Sequence, residues 1–189
     1  MPHIACSDGV KLYYEESGQG TPILFVHEFM GEYRSWEAQV RYFSRRYRCI
    51  AFNARGYPPS DVPERVEDYS FEHQRAGILA LPDGLKIDKA HIVGLSMGAF
   101  ATFYFGMKWP QRALSLTVAG VGSGSMPETR VKFRQESEAA ATKLLAEGWT
   151  RARSCAATRR RGCSCRTRAR ALSPNSSAWC GSTRPKARR

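Results

Sequence analysis

The last histidine of this 189-residue chain is His91, and its last aspartate is Asp88. Residues 92–189 therefore offer no imidazole and no aspartate to any reaction. Acid is missing altogether from residues 151–189, which hold 12 of the 29 Lys+Arg; all 17 Asp+Glu and the other 17 Lys+Arg lie in residues 1–150. The net charge of +12 thus belongs to the last segment, and the body is neutral. A basic surface across the body, of the kind that binds nucleic acid, is not implied. Residues 151–189 also lack Ile, Val, Phe, Met and Tyr, leaving Leu172 and Trp179 as the bulky apolar residues. Such a stretch cannot bury enough surface to offset its ordering entropy, so a disordered basic tail is expected there. Its Arg, Ala, Gly and Pro are also what GC-rich codons give when read out of frame. A frameshift product and a genuine tail both stay open. No apolar run approaches the roughly 18 residues that suggest a membrane span. Met1 to Glu16 is polar, without the apolar core of a secretory signal. A cytoplasmic location with reduced cysteines is expected. Cys163-x-Cys165 lacks the paired spacing and His ligands of a zinc site. Neither a metal nor a cofactor is expected.

Strand and helix patterns alternate along what remains. Residues 3–16 alternate around Asp8-Gly9, a hairpin signal. Ile23 to Val26 and Cys49 to Phe52 are short apolar runs suited to strands buried on both faces. Ser35 to Arg45 has helical spacing, with Ser35 placed to cap it. A helix opens at Ser70 and runs towards Ala80, disturbed near Pro82-Asp83-Gly84. A strand at His91, a helix over Ala99 to Lys108, a strand over Leu114 to Ala119 and a charged helix from Pro127 to about Glu147 complete the series. The alternation predicts an α/β fold, a mostly parallel sheet with helices on both faces. It sets a domain at 1–150 and a tail at 151–189. The aromatics Trp36, Phe43, Phe100, Phe103 and Tyr104 are expected to serve core or helix packing rather than to line a substrate box.

Gly94-Leu95-Ser96-Met97-Gly98 fits G-x-S-x-G between a strand run and a helix run. A serine hydroxyl is a weak nucleophile unless a sharp strand-to-helix turn holds it beside a base and oxyanion donors. Four pieces appear in order: the Asp8-Gly9 hairpin, Phe25 to Gly31, Asn53 to Asp61, and Gly94 to Gly98. Together they resemble the α/β-hydrolase superfamily over about residues 1–147, most of all its small esterases, lactonases and related carbon–carbon or carbon–halogen hydrolases. The last strands of that fold are expected to be missing.

The resemblance implies that Ser96 is the nucleophile and that the backbone N–H groups of Met97 and Phe29 bind the oxyanion. His27, Gly94 and Gly98 shape the loops around it, and Arg55 matches a residue of the same kind. Two positions depart from the family pattern: Glu28 stands where a glycine is usual, and Asn53 where an aspartate is common. The family's acid and histidine fall beyond about Trp149, where the sequence has neither. His91, at the far end of the same strand, is too distant to act as base. His27 is expected to orient its loop, and His73 and His3 to be solvated. Together these points suggest a serine hydrolase for a small ester, lactone or related acyl substrate, with this chain inactive for lack of its partners. The alternative is a non-catalytic hydrolase-like body whose basic tail holds nucleic acid.

Overall fold

A computed structural model of the protein describes residues 1–122 and 125–147. Its strands are β1 (His3–Ala5), β2 (Lys11–Ser17), β3 (Thr21–Val26), β4 (Tyr47–Phe52), β5 (Ala90–Leu95) and β6 (Ala113–Ala119). Its helices are α1 (Glu37–Phe43), α2 (Phe71–Gly84), α3 (Met97–Lys108) and α4 (Pro127–Glu147). The strands form one sheet in the order β1-β2-β4-β3-β5-β6. β1 and β2 are antiparallel, while β4, β3, β5 and β6 run parallel. After β3 the chain steps to β4 on one side, then returns to β5 on the other. The order reverses at β3, and the carboxyl ends of β3 and β5 form the crevice where open α/β sheets bind ligands.

Strand alternation divides the core between two faces. Leu24 and Val26 join Ile50, Phe52, Ile92, the α2 residues Ile78 and Leu81, and the α3 residues Ala101 and Phe105. Ile23 and Phe25 point the other way, onto Cys49, Ala51 and Trp36. Burying each large side chain stabilises the fold by roughly 1.5–3 kcal/mol. Both faces of the central strands are therefore covered, as the continuous apolar runs require.

Two local expectations need correction. Ser35 does not cap a helix over Ser35 to Arg45. A 3-10 turn occupies Tyr33–Trp36, and α1 starts only at Glu37. Ser35 instead accepts the Glu32 N–H at 3.2 Å and donates to Glu28 at 3.3 Å. Pro82 lies inside α2, which runs on to Gly84; a proline in the last turn displaces little, because few backbone bonds follow it. Of the aromatics expected to serve core or helix packing, Phe43, Phe103 and Tyr104 stay partly in solvent, Phe103 most of all. Tyr104 nonetheless packs against Phe71 of α2 at 5.3 Å between ring centroids, and Phe43 lies edge-on to Tyr47 at 6.1 Å; what covers a helix face is a matter that helical spacing alone cannot settle.

The chain divides into two compact units, Met1–Arg134 and Gln135–Arg189. In the second, α4 continues to Glu147. The tail expected over 151–189 lies outside the described residues.

Candidate active site

Ser96 joins the end of β5 to the start of α3, with φ of 52° and ψ of −114°. Few L-residues adopt that region without external restraint. The restraint comes from both sides. The Ser96 N–H donates to the Ala119 carbonyl at 2.8 Å, and its own carbonyl accepts the Phe100 N–H at 3.1 Å. The flanking glycines are required by close approach. A Cβ on Gly94 would strike the Gly98 backbone and the Thr102 hydroxyl; one on Gly98 would strike the Val26 and His27 carbonyls. The G-x-S-x-G spacing is thus what lets α3 start directly against the end of β3. Ser96 is half-buried, and the Met97 N–H is one of the orphan donors that open α3.

The loop after β3 is organised by His27, which is fully buried. Its Nε2 accepts the Ala54 N–H at 3.0 Å, so Nδ1 carries the proton and donates to the Glu28 carbonyl at 2.8 Å. That carbonyl and the Phe29 N–H belong to one trans peptide and point in opposite directions. His27 therefore sets the direction of the Phe29 N–H. Glu28, in the usual glycine position, folds its carboxylate against Gly31 and takes the Ser35 hydroxyl at 3.3 Å.

The next loop is held by Asn53, which is also fully buried. Its Oδ1 accepts the Tyr33 N–H at 2.7 Å, and its Nδ2 donates to the Pro58 and Tyr57 carbonyls at 2.8 and 3.2 Å. A carboxylate could accept the first bond but could not make the other two, which explains an asparagine here. The loop brings in Tyr57, a residue not singled out from sequence. Its hydroxyl donates to the Phe29 carbonyl at 2.8 Å and lies 3.7 Å from Met97 Sδ, while its ring packs edge-on against His27 at 4.5 Å. The signal in the sequence was the Asn53 to Asp61 segment itself, which carried part of the family resemblance without marking Tyr57.

Arg55 is buried, with its guanidinium 2.7 Å from Asp8 Oδ2 and bonded to the Asp68 carbonyl at 3.0 Å. Burial alone would raise the Asp8 carboxyl; Arg55 and the Val10 N–H outweigh it and hold it below the ordinary carboxylate range.

His27, Phe29, Gly94, Ser96, Met97 and Gly98 thus gather at the carboxyl ends of β3 and β5. The other histidines do not join them. His91 is the second residue of β5 and bonds Ser115 at 2.7 Å; five residues of strand put it roughly 16 Å from Ser96. His3 is exposed, as expected, and reaches the Pro59 carbonyl at 3.2 Å; His73, expected to be solvated, is half-buried, bonds Ser70 at 2.9 Å and lies 3.8 Å from Asp8. Among the described residues no histidine or carboxylate is hydrogen-bonded to the Ser96 hydroxyl, and no cluster suited to a metal ion occurs. No helix there is long and apolar enough to cross a membrane. The cavity behind Met97 and Gly98 measures about 20 Å³, room for one water and not for a substrate. On the open side, Leu95 and Phe29 are exposed.

This sheet order, with a strained serine at the switch point, defines the α/β-hydrolase class. A family model for the alpha/beta hydrolase fold matches residues 21–161, and the chain belongs to that family. It is similar to epoxide hydrolase 1 of Caenorhabditis elegans, with 33% identity over 104 residues, 54% of this chain and 26% of the relative. It is also similar to 3-oxoadipate enol-lactonase 1 of Acinetobacter baylyi, with 29% identity over 115 residues, 61% of this chain and 42% of the relative. Among solved structures, an epoxide hydrolase from Bacillus megaterium matches with a TM-score of 0.64 and 26% identity, covering 76% of this chain and 50% of that one. The chain spans about a quarter to two fifths of the length of these two curated relatives.

Proposed function

We propose that this chain carries the acyl-transfer site of a serine hydrolase for small esters or lactones. The observation that carries the reading is a hydroxyl, rather than a carboxylate, on the strained turn at position 96. The two kinds of relative suggest two electrophiles, and the nucleophile discriminates between them. Attack by a serine oxygen on an epoxide carbon opens the ring and leaves an ether, which water does not cleave under these conditions. Attack on an acyl carbon forms a new ester as the old C–O bond breaks, and water can hydrolyse that ester. The departing alkoxide takes up the proton lost by Ser96; in a lactone it stays attached to the acyl group. The substrate class therefore follows the lactonase relative.

The Met97 and Phe29 N–H groups are the proposed oxyanion donors. Each such donor typically contributes about 2.7–4 kcal/mol to the transition state. His27 orients the second donor and is not the base, because both its ring nitrogens already bond backbone groups. These 189 residues place no other histidine near Ser96. Loss of the base from a triad costs roughly 10⁶ in kcat, leaving about 10³–10⁴ over water. We therefore propose slow acylation by this chain, with an acyl-enzyme that persists.

The test compares p-nitrophenyl acetate with styrene oxide. One equivalent of p-nitrophenol released slowly, absent in Ser96→Ala, together with no diol from the epoxide, supports the proposal. Diol formation that depends on Ser96 overturns the choice of electrophile.

A further inference from the structure

We infer that Glu28 sets the charge preference of this site, favouring cationic acyl substrates over anionic ones. Its carboxylate stands uncompensated on the loop that carries the Phe29 N–H, where it also opposes the negative charge of an oxyanion. Glu28 occupies a position that is a glycine in the family pattern. Backbone strain does not set that position apart, because among the described non-glycine residues only Lys86 and Ser96 have positive φ. A side chain is accommodated at 28 without cost to the backbone, and what this one adds is a charge.

Strand register places that charge near the reacting serine. Val26 pairs with Gly94 in the parallel ladder. Glu28 and Ser96 each lie two residues beyond that pair, on loops that leave strands about 4.8 Å apart. A glutamate carboxyl carbon reaches about 4 Å from its own Cα, so bond geometry keeps it within about 6 Å of the next residue's nitrogen. An oxygen that accepts the Phe29 N–H at about 2.9 Å is then no more than about 9 Å from the carboxylate.

No cation among the described residues neutralises it. The segment His27 to Trp36 holds three charged residues, Glu28, Glu32 and Arg34. Arg34 grips Glu32 with two hydrogen bonds, Nε to Oε1 at 2.9 Å and Nη2 to Oε2 at 3.0 Å. Arg55, in the next loop, is paired with Asp8. The elbow Gly94 to Gly98 is uncharged. Glu28 has a neutral partner instead, the Ser35 hydroxyl on Oε1. Its Oε2 is closed off from water and meets no donor among the described residues. Gly31 makes room for this arrangement, since a Cβ there would strike both the Glu28 carboxylate and the Ser35 hydroxyl. Shielding from water preserves the field of the charge. Two unit charges about 9 Å apart alter a rate by about twofold in water and about twentyfold at an effective dielectric of 20.

Two measurements on the full chain test this, and only the second rests on the proposed acyl transfer. In the first, Ser96→Cys is treated with a trimethylammonioethyl or a sulfonatoethyl methanethiosulfonate, and peptide mass spectrometry follows modification at position 96. The ratio of cationic to anionic rates should fall about tenfold when Glu28→Gln is added. In the second, acylation of Ser96 by p-nitrophenyl acetate should speed up about twofold to twentyfold in Glu28→Gln. Glu28→Ala should show the same acceleration, which assigns the effect to charge and not to the shape of the side chain. Equal reagent ratios with and without Glu28, or slower acylation in either variant, overturn the inference. A shifted ratio in chains that release no p-nitrophenol supports the charge preference and removes the acyl-transfer reading. Unchanged ratios in chains that do acylate have the opposite meaning.

Discussion

The Tyr57 hydroxyl donates to the Phe29 carbonyl at 2.8 Å, tying the loop after β4 to the loop after β3. The same oxygen lies 3.7 Å from Met97 Sδ. One phenol therefore links the two segments that carry the proposed oxyanion donors. Tyr57→Phe should keep the ring contact with His27 and lose the bond to Phe29. A stability loss of about 1 kcal/mol is expected in urea unfolding, with slower acylation of Ser96 by an activated ester.

Ser96 holds a backbone conformation that glycine adopts more readily. Ser96→Gly should raise stability by about 1 kcal/mol, the low end of the cost of such strain, while abolishing covalent labelling. A destabilised Ser96→Gly chain in thermal unfolding would show that the turn is not strained.

His27 is proposed to position a peptide rather than move a proton. His27→Ala should cost about 1–3 kcal/mol, because it strands the buried Ala54 N–H. The pH profile of the residual acylation should keep its shape while its rate falls. A rate that loses an ionisation step in His27→Ala would make His27 the base.

The Asp8 carboxyl lies below its ordinary range because Arg55 and the Val10 N–H outweigh its burial. A lowered carboxylate adds stability above its unfolded pKa, and that stability is lost as pH falls through the folded value. Urea midpoints of the wild-type chain should therefore drop as pH falls below about 4, and Asp8→Asn should flatten that part of the profile. Equal slopes in the two chains would remove Asp8 from the acid response.

The sequence made most of this site legible, for local reasons. Strands buried on both faces appear as unbroken apolar runs, so Ile23 to Val26 and Cys49 to Phe52 could be placed directly. The glycines two residues either side of Ser96 recorded the close approach of α3 to β3. Long-range hydrogen bonding was not legible. Nothing in the spacing connects Tyr57 to Phe29, or Asn53 to Tyr33, because those bonds depend on how two loops meet in space. Helical spacing likewise marked Phe103 and Tyr104 as apolar-face residues without showing what covers that face. His73 looked solvated because its partner Asp8 lies 65 residues away in the chain.

The most direct measurement is the site and lifetime of the acyl group. After the chain is incubated with p-nitrophenyl acetate, intact-mass and peptide mass spectrometry should find a single acetyl group on Ser96. It should form slowly, persist for many times the turnover time of a complete hydrolase, and be absent from Ser96→Ala. Multiple turnovers without accumulation, or an acetyl group carried on another residue, would contradict the account.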